Sequence, residues 1–385
     1  MDYRTTWAEI DLDNLKHNLE EVKSAIKPGT RILAVVKANA YGHGSVQIAK
    51  QMRESGVDFF AVSSIYEAIE LRENGINEDI MVLGYTPEGH IIEALKYDII
   101  LTIYSREFAL QVSRIAKGIK KKAKAHIKVD TGMNRLGFQY SEEDIDNIEE
   151  ICNIENIDID GIFTHFATAD ENNKEFSEYQ FKNFLKFIDK LKKRGIDIKN
   201  RHISNSAAII DLPEYNLDIV RPGIMLYGYY PSGEVNKDKI KLKKVMSLKT
   251  RISNIKMIEK GETVGYGRKF KAEDKTLVGT MPIGYADGFS RLLSGKISVN
   301  HKDTKLRLIG NVCMDQSFAD CTGHDEISIG DEIVIFGEGE NYNSAEDLAE
   351  AMGTISYEIL CLVGRRIPRI FIKDKKKLQT VDYLL

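Results

Sequence analysis

Short apolar runs alternate with longer amphipathic stretches over roughly the first two-thirds of the chain. Leu15, Leu19, Val22 and Ile26 recur at helical spacing and predict a helix from Leu12 to Ile26. Beyond it, apolar runs at Ile32–Val36, Phe59–Val62, Ile80–Leu83, Ile99–Ile103, Ala125–Val129, Ile159–Thr164, His202–Ser204 and Ile219–Met225 read as strands. Between several of them lie segments of helical period: Val46–Gly56, Ile65–Gly75, Ser105–Gly118 and Tyr179–Gly195. Each of these ends on a glycine, the usual helix stop. Strand and helix in alternation predict a mainly parallel sheet covered on both faces. Eight such strands over roughly 200 residues fit a closed (β/α)8 TIM-like barrel better than an open sheet.

The pattern changes near Pro231-Ser232-Gly233-Glu234. Alternating or branched segments follow at Met246–Ile252, Thr276–Ile283, Lys305–Ile309, Glu332–Phe336 and Arg369–Ile372. Turn pairs such as Lys260-Gly261, Asp287-Gly288 and Ser294-Gly295 separate them, which predicts a mainly antiparallel β domain with one short helix near Ser344–Gly353. The expected division is a barrel over residues 1–240 and a β domain over 241–385.

Composition narrows the classes of function. With 54 basic against 58 acidic residues, the chain has no global field to attract nucleic acid, so an anionic ligand needs a local site. Cys152, Cys313, Cys321 and Cys361 form no CxxC pair, and Cys313, Cys321 and His324 match no zinc spacing, so no metal is expected. The start MDYRTTWAEIDLDNL lacks the apolar core of a secretory signal, and no window approaches the ~20 apolar residues of a membrane span. A cytoplasmic protein without membrane or nucleic-acid partners is the expectation. The lysine runs near Lys120–Lys124 and Lys373–Lys377 read as solvated turns.

In a β/α barrel, ligands bind at the C-terminal ends of the strands. Those ends carry Lys37 and Tyr41 after the first strand, and Asp130, Thr131, Asn134 and Arg135 after the fifth. Thr164, His165 and Asp170 follow the sixth, and Asn205, Ser206, Arg221 and Gly223 come from the last two. Lys37 ends an otherwise apolar strand, where desolvation disfavours the ammonium and suits a reactive amine, unless the side chain reaches out to water. Hydroxyls, cations and glycine-rich strand–helix junctions together suggest a phosphate or carboxylate site. His126, Lys128 and Asp130 alternate on one face of the fifth strand, either satisfying one another or forming part of a wider polar network. Tyr266 and Tyr285 each stand between small or turn-forming residues, as packed rings or as phenols offered to a ligand.

Ten ordered motifs carry a resemblance that runs from the first helix to the last strand. They are AVVKANAYGHG (34–44), IKVDTGMNRLGF (127–138), THFATAD (164–170), HISNSAA (202–208), RPGIMLYG (221–228), VGYG (264–267), PIGYADG (282–288), GNVCMDQ (310–316), GTISYEIL (353–360) and GRRIPR (364–369). By these the chain resembles the bacterial alanine racemases, fold-type III pyridoxal 5'-phosphate enzymes.

The resemblance implies a homodimer with shared active sites that interconverts L- and D-alanine by a two-base mechanism. Lys37 would hold the cofactor as a Schiff base and act as one base; Tyr266, from the neighbouring subunit, would be the other. A tyrosine ordinarily ionises near ~10, so neighbours must favour the phenolate, and family precedent gives His165 linked to Arg221. Arg221 would face the pyridine nitrogen and, keeping its own proton, leave the ring a weaker electron sink with less transamination. Tyr41, Ser206, Tyr357 and the backbone of Gly223 and Ile224 would hold the phosphate, with Asn205 beside them. Arg135 and the backbone amide of the partner's Met314 would meet the substrate carboxylate. Lys128 matches a position that is often carbamylated, and Tyr285 with Tyr357 would narrow the entrance to suit a small substrate. The implied role is D-alanine supply for peptidoglycan. A broader-specificity amino-acid racemase is the nearest competing reading, beside an amino-acid decarboxylase of the same fold type and a non-catalytic cofactor-binding barrel.

Overall fold

The computed structural model describes residues 4–385. The described residues form two compact units, one of residues 16–40 and 45–242, the other of residues 4–15, 41–44 and 243–385.

The first unit is a closed parallel barrel. Its strands in chain order are β1 (Arg31–Val35), β2 (Phe59–Val62), β3 (Asp79–Val82), β4 (Leu101–Ile103), β5 (Ala123–Lys128), β6 (Ile157–Phe163), β7 (Asn200–His202) and β8 (Ile219–Val220). Neighbours in sequence are neighbours in the ring, and β8 returns to β1 through Arg31–Ile219 and Ile32–Val220. Between β3 and β4 the ring closes at Met81 and Ile100, where the Ile100 N–H donates to the Ile80 carbonyl at 2.8 Å. The TIM-like barrel expected from the alternation is therefore present. Buried Leu33, Phe59, Phe60, Ile80, Met81, Leu101 and Ile127 explain why these runs are strands covered on both sides.

Helices Ser45–Glu54, Ile65–Glu73, Arg106–Gly118, Glu142–Cys152 and Glu175–Lys193 supply the outer layer. Ser64, Ser105 and Ser141 each accept a backbone N–H at a helix start, which fixes where strand gives way to helix. Two expectations fail in extent. The run His202–Ser204 is strand only at His202, the strand being Asn200–His202. The run Ile219–Met225 is strand only to Val220, because Pro222 follows after Arg221 and Ile224–Tyr227 winds into a 3₁₀ turn closed by left-handed Gly228.

The second unit is built on a ten-stranded sheet. Across it run Asn254–Ile258, Thr276–Met281, Ser317–Asp320, Thr304–Ile309, Ser298–His301, Glu332–Phe336, Met246–Arg251, Trp7–Asp11, Arg369–Lys373 and Lys376–Val381. Pairing is antiparallel except between Trp7–Asp11 and Arg369–Lys373. Two helices, Ala345–Met352 and Ser356–Leu362, complete it. Trp7–Asp11, not anticipated as a strand, lies inside this sheet, so the chain begins in the unit that also holds its C-terminal part. Fully buried Arg369 ties the segment Tyr41–Gly44 to the same unit by donating twice to the Gly42 carbonyl, at 2.9 and 2.8 Å.

Candidate active site

Arg221, just past β8, is the centre of the polar cluster at the strand ends. It is 4% exposed, and its guanidinium donates to four acceptors. These are His202 Nδ1 (2.8 Å), the Thr164 carbonyl (2.7 Å), the Ile203 carbonyl (2.9 Å) and His165 Nδ1 (3.1 Å). Burial, then the charge of Arg135, pushes the guanidinium down to about 9, which leaves it charged at neutral pH. A guanidinium can only donate, so both imidazoles accept at Nδ1 and carry their proton on Nε2. Both histidines are held well below their ordinary value, first by burial and next by Arg221, and are neutral.

Around His165 the field is strongly positive. Arg221, Arg135, Lys128 and Lys37 all act to depress its protonation. Lys128 is buried, donates to the Val129 carbonyl at 2.7 Å and is brought down to about 7, chiefly by burial, with Arg221 and Arg135 adding and Asp130 opposing. Asp130 is engaged with its own loop. Its carboxylate accepts the N–H groups of Gly132 (2.8 Å), Asn134 (3.1 Å) and Arg135 (3.1 Å), shaping the turn that presents the exposed Arg135 side chain. Such a concentration of cations suits an anionic ligand.

Beside the cluster, Ser206 Oγ accepts the Gly223 N–H at 2.9 Å, so its own proton is left to donate. Asn205 caps the short helix Ser206–Asp211 by accepting the Ala208 N–H at 3.1 Å, a structural task for that side chain. Lys37 lies two residues past the end of β1 and is half-buried. After it, Ala38, Asn39, Ala40 and Tyr41 take φ of 53°, 55°, 53° and 51°, a left-handed turn of four residues that each carry a Cβ. Such backbone is disfavoured and persists only where surroundings enforce it. Here the Ala38 N–H donates to Glu67 Oε1 at 2.6 Å and the Ser45 N–H to Asn39 Oδ1 at 3.0 Å.

The remaining candidates belong to the β-rich unit. Tyr41 is buried, its phenol pushed above the ordinary range by burial and by Tyr357, so it stays a neutral donor. The two rings lie 6.1 Å apart, tilted by 52°. Tyr266 is 72% exposed on a single 3₁₀ turn between Gly265 (φ 70°) and Gly267 (φ 72°), with its carbonyl held by Asn311 Nδ2 at 2.7 Å. Met314 and Tyr285 are 54% and 44% exposed. Their turns are laced together by Tyr285 N–H to Cys313 O and Ala286 N–H to Met314 O, both 3.0 Å. Asp287, wholly buried, takes the Gly284 N–H at 3.1 Å and pairs with Arg4, holding the Tyr285 turn closed.

Comparison with known proteins decides the family. Residues 10–231 match the family model described as alanine racemase, N-terminal domain, and residues 245–371 match alanine racemase, C-terminal domain. An alanine racemase of Clostridium tetani is 49% identical over 375 residues, covering 96% of each chain. One from Methanococcus maripaludis is 44% identical over 95% of this chain and 98% of its own. The solved alanine racemase of Clostridium difficile 630 superposes with TM-score 0.96 at 44% identity, each chain fully covered. That of Bacillus anthracis, with bound L-Ala-P, superposes at 0.95 with 35% identity, over 100% of this chain and 99% of its own.

The chain belongs to the alanine racemase family.

Within this family member, the barrel unit brings Lys37, Lys128, Arg135, His165 and Arg221 into one electrostatic cluster. His126, Lys128 and Asp130 do not satisfy one another: His126 turns to His202 and Asp160, Lys128 to a backbone carbonyl, and Asp130 to its own loop. Sequence reasoning missed His202 as a partner of Arg221. The signal was its place one strand before Arg221 with its ring on the inner face, but a three-residue strand gives no readable alternation.

Proposed function

We propose that this protein racemises alanine with pyridoxal 5'-phosphate, as its family resemblance implies. The observation that carries the proposal is the convergence of Lys37, Lys128, Arg135 and Arg221 on a neutral His165, around an arginine fixed by four acceptors. The donor set fits the cofactor. A reactive amine at a strand end, a guanidinium for the ring nitrogen, and a seryl O–H beside glycine backbone for the phosphate are the groups it requires. When bound, the cofactor supplies the electron-withdrawing ring that makes the Cα–H of an amino acid acidic enough to remove.

In this reading Lys37 would hold the cofactor, and its amine would take or return the Cα proton on one face. Ser206, Gly223 and Ile224 bind the phosphate, with Tyr41 and Tyr357 assigned to it by the family motifs and Asn205 ordering the helix start. Arg221 would offer only N–H groups to a ring nitrogen and would keep its own charge, so it would not supply that nitrogen with a proton, which would disfavour transamination. His165 keeps its proton on Nε2, from where it donates to the opposite base, the partner subunit's Tyr266. Arg135 orients the substrate carboxylate together with the backbone of the partner's Met314. Tyr285 and Tyr357 narrow the entrance to a methyl-sized side chain. The barrel within residues 1–240 would act as the cofactor-binding domain, and residues 241–385 would carry the segments that complete a partner's site in a homodimer. The cytoplasmic product, D-alanine, is destined for peptidoglycan.

The test is direct. Purified protein supplied with pyridoxal 5'-phosphate should gain visible absorbance and convert L-alanine to D-alanine and back. L-Serine should turn over more slowly, since one added group in a small pocket discriminates by only ~1–3 kcal/mol. Serine racemised as fast as alanine would remove the substrate assignment, and carbon dioxide released from ornithine, lysine or diaminopimelate would replace the reaction.

A further inference from the structure

Behind Arg221 the barrel holds a polar chain for which the proposed reaction has no use. His202 Nε2 lies 2.9 Å from His126 Nδ1, and His126 Nε2 lies 2.9 Å from Asp160 Oδ1. Both imidazoles are buried, yet Asp160 is 54% exposed. The chain therefore runs from a buried guanidinium across β7 and β5 to a carboxylate in water on β6.

Two local departures from regular strand structure make the last link. Between β5 and β6 the register shifts, Ala125 opposing Ile159 and His126 opposing Gly161, so Asp160 is the extra residue of a bulge. A bulge re-aims side chains, and here the carboxylate reaches the edge of the His126 ring. The next residue is Gly161, where any Cβ would overlap that ring. Phe163 stacks on His202 at 4.7 Å and Phe59 packs edge-on against His126 at 5.9 Å, so both rings are packed in place, with their planes 69° apart.

Every bond in this chain has one permitted direction. Arg221 only donates, so His202 must accept at Nδ1 and donate from Nε2. His126 then accepts at Nδ1 and donates from Nε2 to the carboxylate. Asp160 is kept ionised: burial opposes this, but the bond from His126, the charge of Arg31 and the bond from Asn200 at 3.3 Å prevail. The donor-only group at one end and the acceptor-only group at the other demand the same pair of tautomers.

We propose that Asp160 and His126 are positioning residues for Arg221, the carboxylate fixing the tautomers of both histidines and thereby the orientation of the guanidinium. The proposal rests on the reading of Arg221 given above. Asp160→Lys puts a donor where the acceptor stood and removes the reason for His126 to keep its proton on Nε2. The conflict passes along the chain until His202 no longer offers Nδ1 to Arg221. Asp160→Asn can still accept through Oδ1.

The experiment compares cofactor-loaded wild type, Asp160→Lys and Asp160→Asn by kinetics and by NMR of ¹⁵N-histidine-labelled protein. In the wild type, His126 and His202 should give exchange-protected Nε2–H signals. Asp160→Lys should lose both and lower kcat by about tenfold, with KM for alanine nearly unchanged. Asp160→Asn should keep both signals and most of the rate. An Asp160→Lys enzyme with wild-type signals, or with altered signals and unaltered kcat, overturns the proposal, as does an Asp160→Asn enzyme damaged as badly as Asp160→Lys. If the functional reading is at fault instead, the wild type fails to racemise alanine, while the NMR comparison still reads the relay without turnover.

Discussion

The Arg221 cluster and the Tyr266 turn are both rigid, but only one is enclosed. Arg221 is buried, and its four acceptors are Thr164 and His165 just past β6, His202 at the end of β7 and Ile203 after it. Tyr266 is pinned by two left-handed glycines and a side-chain bond to its carbonyl, yet its ring stands in solvent. A buried charge must find its partners within its own fold, since an uncompensated one costs several kcal/mol. An exposed phenol on a stiff turn faces no such demand and can be reserved for another molecule. In the proposed dimer, the contrast would separate chemistry completed by one chain from chemistry offered to a second.

The largest test of the enclosed half is Lys37→Ala. Loss of the amine should abolish the cofactor's bound absorbance and reduce racemisation by at least about 10³-fold, the combined effect of a lost attachment point and a lost base. Retained absorbance with a normal rate would move the attachment to another lysine. On the exposed half, Tyr266→Phe should keep the absorbance and lose about 10²-fold or more of racemisation in both directions, since each direction needs one group on either face of Cα. Mixing the two inactive variants under conditions that exchange subunits puts the comparison at risk. If Tyr266 serves a partner's site, random pairing restores about a quarter of wild-type activity, because half the dimers gain one intact site. No recovery would place Tyr266 and Lys37 of the same chain in one site.

Legibility in the sequence follows the same division. Most barrel strands could be read because they are apolar runs buried on both faces, and β2 and Glu332–Phe336 have the expected bounds, whereas β7, Asn-Arg-His, is not apolar. Trp7–Asp11 escaped because its only apolar positions, Trp7, Ala8 and Ile10, are interleaved with Glu9 and Asp11 and give no strong run. Asn254–Ile258 escaped because it is largely exposed, so its sequence carries little burial pattern. In the site, Arg221 and His165 could be named from motifs, whereas their geometry depends on a bulge at Asp160 and on His202, and register shifts leave no mark in composition.

Gly161 gives a smaller test of how tightly the enclosed region is built. Gly161→Ala drives a methyl group into the His126 ring and should destabilise the protein by about 1–3 kcal/mol, read as a lower urea midpoint at unchanged slope. Gly118, at the end of Arg106–Gly118 with open space at its Cβ position, is the matched control. Gly118→Ala should be neutral or slightly stabilising. Equal losses at both positions would mean that the crowding at His126 relaxes without consequence.

The finest test concerns the charge that the enclosed cluster carries without an anion. Folded Lys128 titrates at about 7 rather than at its ordinary value of 10.5, chiefly through burial. Below pH 7 the lysine is charged in both states and burial exerts its full cost. Between 7 and 10.5 the unfolded chain binds the extra proton, so this residue's contribution to stability rises with pH. Lys128→Met should therefore exceed the wild type in stability at pH 6, by about 1–3 kcal/mol, with the gap narrowing toward pH 9. A neutral amine near Arg135 and Arg221 is also poised to take up carbon dioxide, which would turn the excess cation into an anion that both arginines can pair. Bicarbonate at pH 8 should then raise the wild-type Tm, with a mass increase of one carbon dioxide, and leave Lys128→Met unmoved. Equal shifts in the two proteins would assign the effect to salt and leave the cluster's charge to be met by its ligand alone.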